Sequence, residues 1–178
     1  MSDAIDQLMQ RAAEAKRSRR FAEARQDLLQ ATDMLRQQPA GLELAQALRL
    51  LGEVERKLHD NAAARQHYEE AVALYREHGE RLALAHTVRH LGDVYQEAHH
   101  PDLAEPCYRE ALELYRSSAD APPLDLANAV RSMAVLKSET GETAQARTLW
   151  QEARDLYAQV NVTQGVAESS ARLARLSE

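Results

Sequence analysis

His86 and His90, four residues apart, with Asp93 one turn further on, are the side chains whose types and spacing first suggest chemistry. On a helix, positions i and i+4 share a face, so two imidazole nitrogens and a carboxylate oxygen come within reach of one ion. The sequence near them offers no fourth ligand, and paired histidines also arise on exposed helices without a metal. No metal site is assigned, and the pair is read as part of a binding face. His99 and His100 fall in a turn, as His59 does forty residues earlier. Cys107 directly precedes a packing position and reads as a small core residue. No P-loop, GxGxxG, GxSxG or HExxH pattern occurs. Carboxylates alternate with Arg and Lys at helical spacing, as they do on solvated helices. With no nucleophile or acid–base pair to name, the chain reads as non-enzymatic, with no catalytic residue and no cofactor.

Arg49, Arg89 and Arg131 recur at intervals of 40 and 42 residues. Arg49 has Glu53 at i+4 and Arg89 has Asp93, pairs worth about 0.2–0.5 kcal/mol each. A ligand carboxylate gripped by a bidentate guanidinium competes with interactions of that size. Arg131 has Val135 in that place, with Asn128 and Ser132 beside it, and so reads as unpaired. Arg49, Arg89, Arg131, Asn128, His86, His90, Glu53 and Asp93 are therefore the expected partner-binding residues.

Helices must present these groups. Of 178 residues, 44% are hydrophobic and 28% charged, and only 6 Gly and 5 Pro interrupt runs of Ala, Leu, Glu, Gln and Arg, the strong helix formers. Aromatics are 4%, and nothing alternates with the period of a strand. The expected class is all-α. A net charge of −6 argues against nucleic acid as a partner, and the basic run KRSRR (16–20) reads as a solvated helix end. No apolar stretch approaches the roughly 20 residues that span a bilayer, and the polar start does not resemble a signal peptide. A single cysteine permits no intramolecular disulfide, so the expected compartment is the cytoplasm.

The chain repeats itself. LGEVERKLHDNAAARQHYEEAVALY (51–75) and LGDVYQEAHHPDLAEPCYREALELY (91–115) agree at 10 of 25 positions. Ala64, Tyr68, Ala71 and Tyr75 become Ala104, Tyr108, Ala111 and Tyr115, then Ala146, Trp150, Ala153 and Tyr157. Four units follow, about 1–39, 40–79, 80–121 and 122–163, each a helix pair, with a closing helix over 164–178. That helix should turn Glu168, Arg172 and Arg175 to water and Val166, Ala167, Leu173 and Ala174 inward. Asp60 or Asn61 caps the second helix of unit two and Gly79 ends it; Gly141 turns unit four. Asp102 and Glu105 have capping-box spacing, but Pro106 predicts a late start or distortion there. Small residues (Gly52, Gly92, Ala134) face large ones (Tyr68, Tyr108, Trp150), so that neighbouring pairs bury each other. The initiating Met and the closing helix predict a single domain, 1–178, with its own beginning and end.

Leu91, Gly92, Tyr95, Ala104, Tyr108 and Ala111, and Leu51, Gly52, Ala64, Tyr68 and Ala71, resemble the tetratricopeptide repeat (TPR) pattern L-G-x2-Y…A-x3-F. The unit is longer than the usual 34 residues, and it is similar to the long-helix variant of light-chain-type and bacterial regulator arrays. The resemblance implies a right-handed α-solenoid of antiparallel helix pairs whose first helices line a concave groove. It further implies a scaffold that holds a protein or peptide segment. Chaperone tails are not the implied ligand, because the clamp Asn positions carry Ala13, Glu53 and Asp93. A sensor array for a small peptide or metabolite, and a self-associating module, are the alternatives.

Overall fold

The computed structural model describes residues 2–39 and 41–176. Every regular element among them is helical: α1 (Ser2–Arg17), α2 (Phe21–Leu35), α3 (Leu42–Lys57), α4 (Asn61–Glu77), α5 (Arg81–Glu97), α6 (Pro101–Arg116), α7 (Pro123–Glu139), α8 (Thr143–Gln159) and α9 (Thr163–Arg175). These are the expected pairs and closing helix, and the fold is an all-α solenoid. Among the described residues no helix is long and apolar enough to cross a membrane.

Two compact units divide the chain, Met1–Val94 and Tyr95–Glu178. In the first, α1 packs on α2, α2 on α3 and α3 on α4; in the second, α6 packs on α7, α7 on α8 and α8 on α9. Ala12, Ala15, Ala24, Leu28, Leu51 and Val54 form one buried cluster of the first unit. Ala134, Ala146 and Trp150 form one of the second.

The turns within pairs share one device. Arg19, His59, His99 and Gly141, at intervals of 40, 40 and 42, all have positive φ (59°, 63°, 60° and 79°). Such a left-handed residue just past a helix end closes the last turn and reverses the chain. Asp60 then caps α4 by accepting from the Ala63 amide at 3.0 Å, as expected. Gly79 (φ 72°) follows the end of α4.

Two local expectations are met only in part. α6 does not start late: it begins at Pro101, and Asp102 makes no side-chain cap. Proline fits the first helical position because its missing N–H has no helical acceptor there. Pro106 is then accommodated inside the helix. The closing helix turns Leu173 inward and Arg175 to water as expected, but the rest of its face differs. Gly165 and Ser169 are its buried residues, while Ala167 and Ala174 are exposed. A Cβ at Gly165 would collide with the Tyr157 ring, so the smallest residue fixes which side of α9 approaches α8. Glu168 and Arg172 are drawn in with it: Glu168 meets Arg131, and the Arg172 guanidinium sits 5.7 Å from the Trp150 ring centre.

Candidate functional site

In the first unit, the second-helix tyrosine sets the floor of the site. Tyr68 is fully buried, and a Cβ on Gly52 would lie only 2.7 Å from its ring, so glycine is what lets α3 and α4 close. The Tyr68 ring stacks on His90 with centroids 5.9 Å apart and planes 10° apart. That contact anchors the polar face of α5.

Around it stands a network from α1, α3 and α5. Lys16 Nζ donates to Glu53 Oε2 at 2.7 Å, and Arg49 donates to Glu53 Oε1. His86 Nε2 lies 3.7 Å from Glu53 Oε1 and 3.2 Å from His90 Nε2. Asp93 Oδ2 lies 3.1 Å from His90 Nδ1, 3.2 Å from Arg56 Nη1 and 3.3 Å from Arg89 Nη1. Arg89 Nη2 lies 2.8 Å from His90 Nε2.

Donor bookkeeping fixes the His90 tautomer. A carboxylate only accepts and a guanidinium only donates. Nδ1 meets both the Asp93 carboxylate, which calls for a proton, and Arg56 Nη1 at 3.1 Å, which calls for a lone pair. The 2.8 Å Arg89 contact needs the lone pair at Nε2, which puts the proton on Nδ1 and leaves Arg56 to donate to Asp93 instead. Burial pushes His90 down to about 4, with Arg89 adding to the effect and Asp93 opposing it. Burial alone would raise the Asp93 carboxyl; the His90 hydrogen bond and the Arg89 and Arg56 charges outweigh it and hold Asp93 well below the usual carboxylate range. Glu53 follows the same logic: burial opposes, but His86, Arg49 and Lys16 hold it well below.

Beside this network a cavity of about 420 Å³ is lined by Leu42, Gln46, Arg49, Tyr75, Ala83 and His86, with Glu80. Arg49 and His86 form its polar edge, while Leu42, Tyr75 and Ala83 give it apolar wall. Burial raises the Tyr75 phenol, and Arg49 opposes this by hydrogen bonding to it.

The expected residues thus divide. Arg49, Glu53, His86, Arg89, His90 and Asp93 converge within the first unit, and the two i+4 pairs form as expected. Arg89, however, is only 8% exposed and holds Asp93 and His90 rather than facing solvent. In the second unit, Arg131 is not unpaired: its Nε and Nη2 both donate to Glu168, each at 2.7 Å. The partner comes from α9, 37 residues later, where no i+4 rule looks. Asn128 Oδ1 accepts from the Tyr157 hydroxyl at 2.8 Å. Lys16 is the network member that sequence reasoning missed, because it belongs to a run that reads as a solvated end. Cys107 is half-buried rather than core.

A second set of contacts repeats with the sequence period. Tyr108 donates to Gln96 Oε1 at 2.7 Å, and Trp150 Nε1 donates to Ser138 Oγ at 3.0 Å. Arg56, the residue equivalent to Gln96 and Ser138, faces the Tyr68 phenol, which burial pushes far up. The three large aromatics occupy equivalent places, and each has its polar tip beside the same position of the preceding helix.

The family model of the tetratricopeptide repeat matches residues 43–117, the α3–α6 segment. No curated protein matches the sequence. Solved structures show the fold over nearly the whole chain. BtubC from P. vanneervenii aligns at TM-score 0.71 and 16% identity, over 97% of this chain and 79% of that one. Aspartyl phosphate phosphatase F from Bacillus subtilis aligns at 0.84 and 13%, over 94% of this chain and 44% of that one, so this chain spans under half of the phosphatase. Kinesin light chain TPR-like repeats from Podospora anserina align at 0.78 and 13%, over 97% and 84%.

Proposed function

We propose that this tetratricopeptide-repeat chain is a non-enzymatic interaction module that holds an acidic segment of a partner protein on the α3–α5 face. The observation that carries the reading is the cavity edged by Arg49 and His86. It pairs an apolar wall with a guanidinium and an imidazole, the combination that seats a carboxylate-bearing side chain or chain end. The charge around it has the matching sign. Lys16, Arg49, Arg56 and Arg89 stand against Glu53, Asp93 and the cavity-lining Glu80, although the chain as a whole is acidic. Arg49 and His86 contact the ligand in this reading; Glu53 holds Arg49, and His90, itself held by Arg89 and Asp93, supports His86 from behind. Asn128 and Arg131 are the corresponding groups of the second unit and extend the proposal to its face. The single cysteine, which needs no oxidising compartment, fits a cytoplasmic module.

Titration of acidic and basic decapeptides against the wild type and Arg49→Glu, in EDTA, tests the reading. Acidic peptides should bind the wild type and lose at least tenfold in affinity with the variant, at unchanged helicity. Equal binding of both peptide classes, or no effect of the reversal, would refute it. A free dicarboxylate that binds as tightly as the peptides would shift the reading to a metabolite sensor.

A further inference from the structure

We propose that Glu53, His86 and His90 form a binding site for a zinc-class divalent metal ion. The donors come from two helices, Glu53 from α3 and the two histidines from successive turns of α5, and their ligand atoms all lie within 4.8 Å of one another. Zinc bonds nitrogen at about 2.0–2.1 Å, so two donors of a tetrahedral site stand roughly 3.4 Å apart. The observed separations straddle that value: 3.2 Å between His86 Nε2 and His90 Nε2, and 3.7 Å between His86 Nε2 and Glu53 Oε1. The His90 Nε2 lone pair, which here accepts from Arg89, and His86 Nε2 face each other, and they are the nitrogen donors an ion would use.

The second layer is already in place. A metal-ligating histidine commonly gives its other N–H to a carboxylate, which fixes the tautomer and the ring angle. Asp93 does this for His90 at Nδ1, and the Tyr68 ring holds the imidazole from its face. The sequence suggested Asp93 as a third ligand beside the histidines. The geometry gives that place to Glu53 and makes Asp93 the orienting group. Two imidazoles and one carboxylate suit Zn²⁺ or Co²⁺ and leave a fourth position for water.

Two cations contest the site. Arg49 occupies Glu53 Oε1 and Arg89 contacts His90 Nε2. An ion must displace both, although Arg89 keeps Asp93 through Nη1. The expected affinity is therefore on the order of micromolar rather than that of a dedicated structural zinc site. This inference does not rest on the partner-binding reading, since the ion is titrated with no peptide present.

The test uses the 178-residue chain stripped with EDTA, dialysed free of chelator and titrated with Co²⁺, then with Zn²⁺. One Co²⁺ per chain should bind with the visible absorption of a tetrahedral site lacking thiolate, and Zn²⁺ should displace it. His86→Ala and Glu53→Gln should each weaken binding tenfold or more, and Asp93→Asn about 10–100-fold. The double variant His99→Ala/His100→Ala should leave it unchanged. Because Glu53 and Asp93 also anchor arginines, circular dichroism accompanies each variant, and His86→Ala, at a partly exposed side chain, decides if the others lose helicity. No stoichiometric binding in the wild type, binding that survives His86→Ala, or binding lost in the His99/His100 variant would overturn the proposal.

Discussion

The Tyr68 ring fills the space that any side chain at residue 52 would need: a Cβ there would lie 2.7 Å from the ring. Helix propensity favours alanine over glycine by about 1 kcal/mol, yet steric exclusion opposes it here. Overpacking of this kind costs about 1–3 kcal/mol. Gly52→Ala should therefore lower the unfolding free energy by up to about 2 kcal/mol net, read as a lower urea midpoint. It should also move the His90 ring, read as a change in its NMR shifts, because Tyr68 supports that ring.

The left-handed turn residues make an opposite prediction. His59 and His99 adopt φ near 60° without being glycine, at a cost of about 1 kcal/mol each. His99→Gly should stabilise the chain by roughly 0.5–1 kcal/mol in chemical denaturation. The binding of peptide and metal should not change.

Acid should loosen the contact between α7 and α9. Arg131 hydrogen bonds to Glu168 and holds its carboxyl below the usual value; partial burial opposes this. The unfolded state then takes up protons first as pH falls. The stability Glu168 contributes is present above its unfolded value of 4.5 and disappears as pH drops through the lower folded one. Glu168→Gln should flatten the fall in melting temperature between pH 5 and pH 3 by removing this group. A slope equal to that of the wild type would contradict the assignment.

Ser138 tests the repeated aromatic contact. Trp150 is fully buried and its indole N–H is met by Ser138. Ser138→Ala leaves that donor without its partner, at about 1–3 kcal/mol. Gln96→Leu should cost a similar amount through Tyr108.

The repeat, the helix pairs and the small-against-large packing were legible because each is a local pattern recurring at a fixed period. Ala64, Tyr68, Ala71 and Tyr75 announce a helix face in one unit and two later units repeat it. What did not show was who meets whom across helices. Arg131 looked unpaired because its carboxylate lies in α9, and Glu53 looked like a mere i+4 partner of Arg49 when it also faces His86 on α5. Polar side chains on solenoid first helices reach sideways to the next pair, so their partners sit about 33–40 residues away, where no helical periodicity points. The orientation of α9 was only partly legible for a related reason: Leu173 points inward as its hydropathy implies, but Gly165, which decides which face can approach Tyr157, carries no hydropathy signal.

The most direct test of the central claim, that the first unit presents a cation-rich face for an acidic segment, is selection from a random peptide library followed by titration of the winners in EDTA against Arg49→Glu. The account predicts winners enriched in Asp and Glu whose affinity falls at least tenfold with the reversal while helicity holds. Winners without acidic enrichment, or acidic winners that bind the variant as tightly as the wild type, would contradict it.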